Sequence, residues 1–291
     1  MKYIFIIFPI VFIIFYIVFV PVRLIFQHPI LFIKYAILDF FNYFRFKKWN
    51  NFPSGAFTCY DSKFGVVFGS GKTLSVVEQT FRDFKKYDNK QVYDVHRRKF
   101  VTQKIHILSN LTLFGVPYEK LINLGQVLSA CENALDQDKK SDTLTCVLVV
   151  IDECQNQLHC RSFKDNLSPM MLKALTECRH YNMSIYYDCP RFNQVDALLR
   201  QCTAINIKNR KLWRFQLQTY YDAFDIDNCS GDYDKLKPLK KTGFFITNDL
   251  FDSYDTKEII DTLSKARNQN DLLSDKEILD LQMDIKEKFV N

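Results

Sequence analysis

The stretch Gly69-Ser70-Gly71-Lys72-Thr73 stands between a short apolar run, Phe64–Phe68, and a segment from Thr73 to about Tyr87. In that segment Val76, Val77, Thr80, Phe81 and Phe84 recur on one side at helical spacing. A strand that turns through glycines straight into a helix must cross over before it can pair again, which predicts a βα unit in a parallel sheet. The turn also has chemistry of its own. Glycines let successive backbone N–H groups converge, and the helix N-terminus adds the positive end of its dipole, so the turn suits a phosphate. In this pattern Lys72 reaches the β and γ phosphates of a nucleotide and the Thr73 hydroxyl ligates Mg2+. Gly69, Ser70, Gly71, Lys72, Thr73 and Leu74 are the expected nucleotide-binding residues, with ATP and Mg2+ as cofactors. The full G-x-x-x-x-G-K-[ST] pattern would have glycine at 66, where Val66 stands and Gly65 comes one place early.

A second run supports the first. Leu144–Ile151 is apolar but for Thr145, as a parallel strand buried on both faces must largely be, and it ends in Asp152-Glu153. Such a strand end delivers two carboxylates together: Asp152 to hold the metal through water, Glu153 to polarise an attacking water.

Elsewhere the chain alternates in the same way. Ile105–Leu108 and Ile185–Tyr187 read as strands. Pro117 stands where a helix can begin, with Leu121, Leu124, Val127, Leu128 and Cys131 at helical intervals. Ser168-Pro169 caps a helix running to about Tyr181, and Val195–Leu199 is helix-like. Trp213, Phe215, Leu217 and Thr219 alternate with polar residues, and Gly243–Thr247 is a further strand. The fold class is therefore α/β, a mostly parallel sheet with helices on both faces, occupying about residues 52–262 before a charged tail, 263–291.

In front of this domain, Tyr3–Val22 contains no charged residue and is long enough to span a bilayer as a helix. No small-x-small cleavage pattern follows it, which disfavours a secretory signal peptide. Arg23, Lys34, Arg45, Lys47 and Lys48 lie beyond it, so that side should face the cytoplasm. Residues 29–44 form either an interfacial helix or the return arm of a hairpin. The expected organisation is an anchor over 1–51 at the cytoplasmic (inner) membrane and a domain in the cytoplasm, with Trp49–Gly55 as the boundary.

Nine cysteines are scattered without a C-x-x-C pair, and their odd number fits reduced thiols rather than a disulfide framework. A net charge of +6 permits contact with a polyanion without arguing for one. Two basic clusters interleave with aromatics, as single-stranded nucleic acid would require: His96-Arg97-Arg98-Lys99 between Tyr93 and Phe100, and Lys208, Arg210, Lys211 and Arg214 around Trp213.

Five segments together carry a family resemblance: Gly69–Leu74, Ile107–Leu113, Val149–Gln155, Leu175–Asn182 and Phe251–Thr256. Over about residues 56–256 the chain resembles the zonula occludens toxin family, which includes filamentous-phage assembly ATPases and falls within the FtsK/HerA group of DNA-translocating ATPases. The resemblance implies an ATPase working as a ring, a hexamer, that moves single-stranded DNA or drives extrusion of a nucleoprotein, with coat or export-channel proteins as further partners. It also implies an arginine acting on a neighbour's nucleotide, for which Arg179 is the candidate and Arg200 the second choice. Where the group often has a sensor glutamine at the end of the next strand, this chain has Asp188. Two other readings share the motifs: a conjugation or plasmid DNA translocase, and a membrane scaffold switched by nucleotide without motor activity.

Overall fold

In a computed structural model the chain divides into two compact units, residues 1–50 and 51–291. The structure describes residues 16, 19–62, 69–158, 175–229 and 236–255.

In the first unit, α1 (Val20–Gln27) and α2 (Pro29–Arg45) meet at His28 with a bend of 103°. Pro29 opens α2, since a residue without an N–H and with a fixed φ starts a helix readily and cannot continue one. The expected span over 3–22 lies almost wholly outside the described residues. Its expected end at Val22 is not a helix end, because α1 runs on through Arg23 to Gln27. Among the described residues no single helix is long and apolar enough to cross a membrane; α1 and α2 meet that test only jointly, across their bend. No residue of α2 is buried, and Ile30, Phe32, Ile33, Ile37, Phe40 and Phe41 all stand exposed.

Among the described residues the second unit is built on a nine-stranded sheet. Its strands are β1 (Phe57–Ser62), β2 (Lys90–Asp94), β3 (Lys99–Ser109), β4 (Glu119–Lys120), β5 (Thr143–Ile151), β6 (Met183–Asp188), β7 (Thr203–Leu212), β8 (Phe215–Asp222) and β9 (Lys240–Phe245). They lie in the order β2-β3-β5-β6-β1-β7-β8-β9, with β4 paired to β3 off that path. From β3 to β7 the pairings are parallel; β2, β8 and β9 add antiparallel strands at the two edges. The helices are α3 (Lys72–Tyr87), α4 (Gly125–Lys140), α5 (Cys154–Gln157), α6 (Ala197–Cys202), α7 (Ala223–Asn228) and α8 (Asn248–Phe251).

The period of two along β5 explains the layering. Val147, Val149 and Ile151 pack with Val127, Cys131 and Ala134 of α4, whereas Cys146, Leu148 and Val150 pack with Leu74, Val76 and Val77 of α3. Each such burial contributes roughly 1.5–3 kcal/mol, which fixes β5 at the centre with a helix on either face.

The expected run Phe64–Phe68 lies outside the described residues; the described strand before the glycine turn is Phe57–Ser62. Two other expectations need correction. The helix expected from Pro117 begins at Gly125. There the Asn123 side chain accepts from the Gln126 N–H (3.0 Å) while the Gln126 side chain accepts from Ile122 (2.6 Å) and Asn123 (3.0 Å), a reciprocal capping that outweighs proline as a start signal. The helix expected to reach Tyr181 has given way to turns by Glu177, its earlier part lying outside the described residues. The charged tail, 263–291, also lies outside them.

Candidate functional site

The parallel strands end at one edge of the sheet, and a group of buried polar residues collects there: Asp61 and Ser62 on β1, Asn110 after β3, Asp152 after β5, Asp188 on β6 and Asn209 on β7. In an open α/β sheet this is the ligand edge, and β1, flanked by β6 and β7, is where crossovers diverge.

The glycine turn lies above β1. Gly71 precedes α3 with φ 77°, and a Cβ there would sit 2.3 Å from Gln216 Oε1, so the position takes glycine for both conformation and space. The buried Ser70 places Oγ 3.0 Å from Ser62 Oγ, and its carbonyl accepts from Gln216 Nε2 at 3.0 Å. Lys72 occupies the first turn of α3, half-buried. Leu74 packs its side chain into the core under α3, so only its backbone could face a nucleotide.

Behind the turn two carboxylates converge on one hydroxyl. Thr73 Oγ1 lies 2.8 Å from Asp152 Oδ1 and 2.9 Å from Asp188 Oδ2. Asp152 is held by Asn110, whose amide accepts from the Asp152 N–H (2.8 Å) and donates to its carbonyl (3.0 Å). The other oxygen of Asp188 accepts the Glu153 N–H at 2.6 Å, so this side chain bridges the glycine turn and the end of β5. Glu153 has φ 50°, a conformation a residue with a Cβ adopts at a cost of about 1–2 kcal/mol. Its side chain is exposed, with Oε2 accepting from Asn156 at 2.7 Å.

Burial, and then the charge of Asp188, push the Asp152 carboxyl well above the usual range. Two buried carboxylates sharing one hydroxyl hydrogen form a donor set that a proton or a hard cation balances. Mg2+ fits, because it takes one or two carboxylates and draws its remaining ligands from water and phosphate. Among the described residues no cluster of three His, Cys, Asp or Glu forms a separate metal cage.

The shift has a sign. A carboxyl whose folded pKa is raised gives the folded state more protons than the unfolded one, so stability falls as pH rises above the unfolded value near 3.8. Asp188→Asn removes the second cause of that shift and keeps an oxygen for the Glu153 N–H. In the absence of nucleotide it should unfold about 2–4 °C higher than wild type at pH 8, the shift ~1 kcal/mol gives in a domain of this size, with the difference shrinking toward pH 4. Thermal scans at the two pH values check it; an equal or lower midpoint at pH 8 would mean the pair is not in repulsion.

The other candidates scatter. Arg179 is exposed in the turn before β6, while Asp188 ends that strand, roughly 17 Å away by strand rise. Arg200 pairs with Asp227 and donates to the Val195 carbonyl at 3.1 Å, a structural engagement. Arg97 and Lys99 lie at the start of β3, the end of the sheet away from the glycine turn; Arg97 pairs with Asp94 at 3.1 Å and Lys99 with Asp142. Lys208 is buried and paired with Asp61, which withdraws it from any polyanion surface. Only Arg210, Lys211 and Arg214 remain near Trp213, at the same end as the glycine turn.

Asn209 and Gln216 had no sequence signal of their own, whereas Asn110 and Tyr254 stand inside segments that carried the family resemblance, Ile107–Leu113 and Phe251–Thr256. Asn110, Asn209 and Gln216 act through contacts that long-range strand order creates. Tyr254 forms a bridge with Leu113, and burial, then the charges of Asp152 and Asp188, push its phenol up to about 12. The described cysteines are free thiols; Cys59 and Cys189 lie with sulfurs 3.5 Å apart beneath the site.

The family described as zonular occludens toxin (Zot) matches residues 65–257. A search of the curated proteins finds no match. Among solved structures, the N-terminal domain of zonular occludens toxin from Neisseria meningitidis is 14% identical with a TM-score of 0.42, covering 69% of this chain and 99% of its own. The DNA-packaging ATPase B204 from Sulfolobus turreted icosahedral virus is 12% identical with a TM-score of 0.39, covering 65% and 98%. The genome-packaging NTPase B204 from Sulfolobus turreted icosahedral virus 2, in complex with ATP-gammaS, is 12% identical with a TM-score of 0.37, covering 64% and 97%.

Proposed function

The chain belongs to the zonular occludens toxin (Zot) family, and from that premise we propose that it is a membrane-anchored, ATP-hydrolysing motor for DNA translocation or for assembly and extrusion of a filamentous virus or mobile element. The observation that carries the reading is the convergence of Thr73, Asp152 and Asp188 directly behind a glycine turn that opens a helix. Backbone N–H groups of Gly69–Thr73 and the N-terminus of α3 bind the phosphates, and Lys72 adds a positive charge to them. Thr73 and Asp152 would hold Mg2+, which supplies charge neutralisation on the transferring phosphoryl group. Glu153 orients the attacking water and accepts its proton, from a strand end that Asn110 and Asp188 keep in place.

The exposed apolar faces of α2 support the anchor, because a helix with apolar side chains on every side requires a non-aqueous surround. The test is phosphate release by membranes bearing the full chain, with the Lys72→Ala chain as the blank. Lys72-dependent turnover that stays with the pellet through a high-salt wash supports both halves of the reading. Turnover found only in the soluble fraction would remove the anchor, and none at all would remove the motor.

Arg179 belongs to the same proposal. It stands at the end of β6 away from its own glycine turn, so it reaches a nucleotide only from the neighbouring subunit of a ring. Arg179→Ala should bind ATP normally and lose turnover by about 10³-fold or more. Mixing it with Lys72→Ala subunits should restore part of the activity, each supplying what the other lacks. Normal turnover by Arg179→Ala alone sinks the assignment.

A further inference from the structure

The last three strands leave one face of the sheet open among the described residues. Directly opposed residues of an antiparallel pair share a face, which places Leu212, Phe215 and Phe245 in one row and Arg210, Leu217 and Gly243 in the next. Lys208, Thr219 and Lys241 form a third, with the Lys208 charge buried against Asp61 of β1. Trp213, in the turn at the rim, is 71% exposed, and Phe215 and Phe245 are 48% and 52% exposed. Their rings already gather: Phe215 and Phe245 lie 5.6 Å apart, with Trp213 6.0 and 6.1 Å from each. Arg210, one row from the rings, and Lys241, two rows away, are exposed, and no acidic side chain of β7, β8 or β9 stands in these three rows; Asp61 of β1, beyond Lys208, is engaged by it.

We propose that this open β7–β8–β9 face, rimmed by Trp213, binds single-stranded nucleic acid. Exposed rings offer stacking surface to unpaired bases of any sequence, and flanking cations neutralise the phosphates between them. A duplex keeps its base faces inside the stack and cannot use the rings. A second copy docking through the same face would bring two sets of Arg210 and Lys241 into one interface with no acidic side chain of β7–β9 in those rows to pair them. Gly243 opposite Leu217 leaves the middle row without a side chain on β9, which gives a base room to lie flat.

The platform is joined to the glycine turn. Gln216, between Phe215 and Leu217, points to the opposite side of β8, where its amide donates to the Ser70 carbonyl at 3.0 Å and crowds Gly71. A strand occupying the open face therefore lies one sheet thickness from the phosphate-binding turn. This coupling rests on the motor reading above; the binding itself does not.

The test uses the full Lys72→Ala chain without nucleotide, so that loss of turnover cannot affect it. The probe is an oligodeoxythymidine of about 20 nucleotides, longer than the ~4–16 one single-strand-binding fold covers. Binding should quench tryptophan emission, and the quench should disappear in Trp213→Phe, which leaves only Trp49. Phe215→Ser with Phe245→Ser should weaken binding at least ~10-fold while keeping the wild-type unfolding transition. Arg210→Ala with Lys241→Ala should lower the slope of log affinity against log salt by about 1.4, two single-strand phosphate contacts' worth. Unchanged affinity in the phenylalanine pair, or equal binding of a duplex of the same length, overturns the platform. So does a phenylalanine pair that disperses an oligomer in sedimentation without changing oligonucleotide affinity, which marks the face as a contact between copies. If the wild-type chain turns over no ATP yet the oligonucleotide still quenches Trp213, the motor falls and the platform stands.

Discussion

Lys72→Ala is expected to lower ATP turnover by at least ~10²–10³-fold, the loss typical of removing one preorganised donor from developing phosphate charge. The expectation follows from position. Lys72 is the first residue of α3, immediately after a glycine in the left-handed region, where N–H groups without helical partners and the dipole end already favour an anion. Its charge is the part that backbone cannot supply. The fold should survive, because α3 is held by Leu74, Val76, Val77 and Thr80, all buried, while Lys72 is half-buried. Phosphate release together with binding of a fluorescent ATP analogue reads both steps, and circular dichroism reads the fold. Turnover within a few-fold of wild type would remove the phosphate-loop assignment.

Glu153→Gln should separate binding from hydrolysis. The variant keeps the shape of the side chain, an oxygen for the Asn156 amide and the backbone N–H on Asp188, so nucleotide affinity should hold. An amide cannot take a proton from water, and turnover should fall by about 10²–10⁴-fold. If turnover falls only a few-fold, the base is another carboxylate of the site, with Asp188 the nearest by its bond to the Glu153 backbone.

The parts of this molecule that could be read from the sequence were those whose physics is local. The nearly unbroken apolar run of β5 can only be a strand covered on both sides, and the Gly69–Thr73 turn announces its own geometry; the resemblance to the family, carried by five short segments, matches the family assignment. Edge strand β2 was missed because its exposed Lys90 and Gln91 leave a single fully buried residue, Val92, too little for a periodic signal. The start of α4 was misread because Pro117 is a generic marker, whereas Asn123 and Gln126 cap only in partnership. Lys208 reads as a polyanion contact in the sequence, but β7 runs parallel to β1, which sets it opposite Asp61 in the dry interior. Asp188 was recognisable as a departure from the usual glutamine, but its double engagement with Thr73 and Glu153 depends on β5 and β6 lying side by side. For Lys208 and Asp188 what the sequence withheld was an adjacency between distant segments.

The central claim is that Thr73 and Asp152 assemble with Mg2+ around an ATP held by the Gly69–Thr73 turn. It is tested most directly by phosphate release from ATP by the full chain, titrated with Mg2+ and then with a chelator. The account predicts turnover that rises with Mg2+, stops on chelation and is lost in Asp152→Asn. Turnover that ignores Mg2+ and survives Asp152→Asn would contradict it.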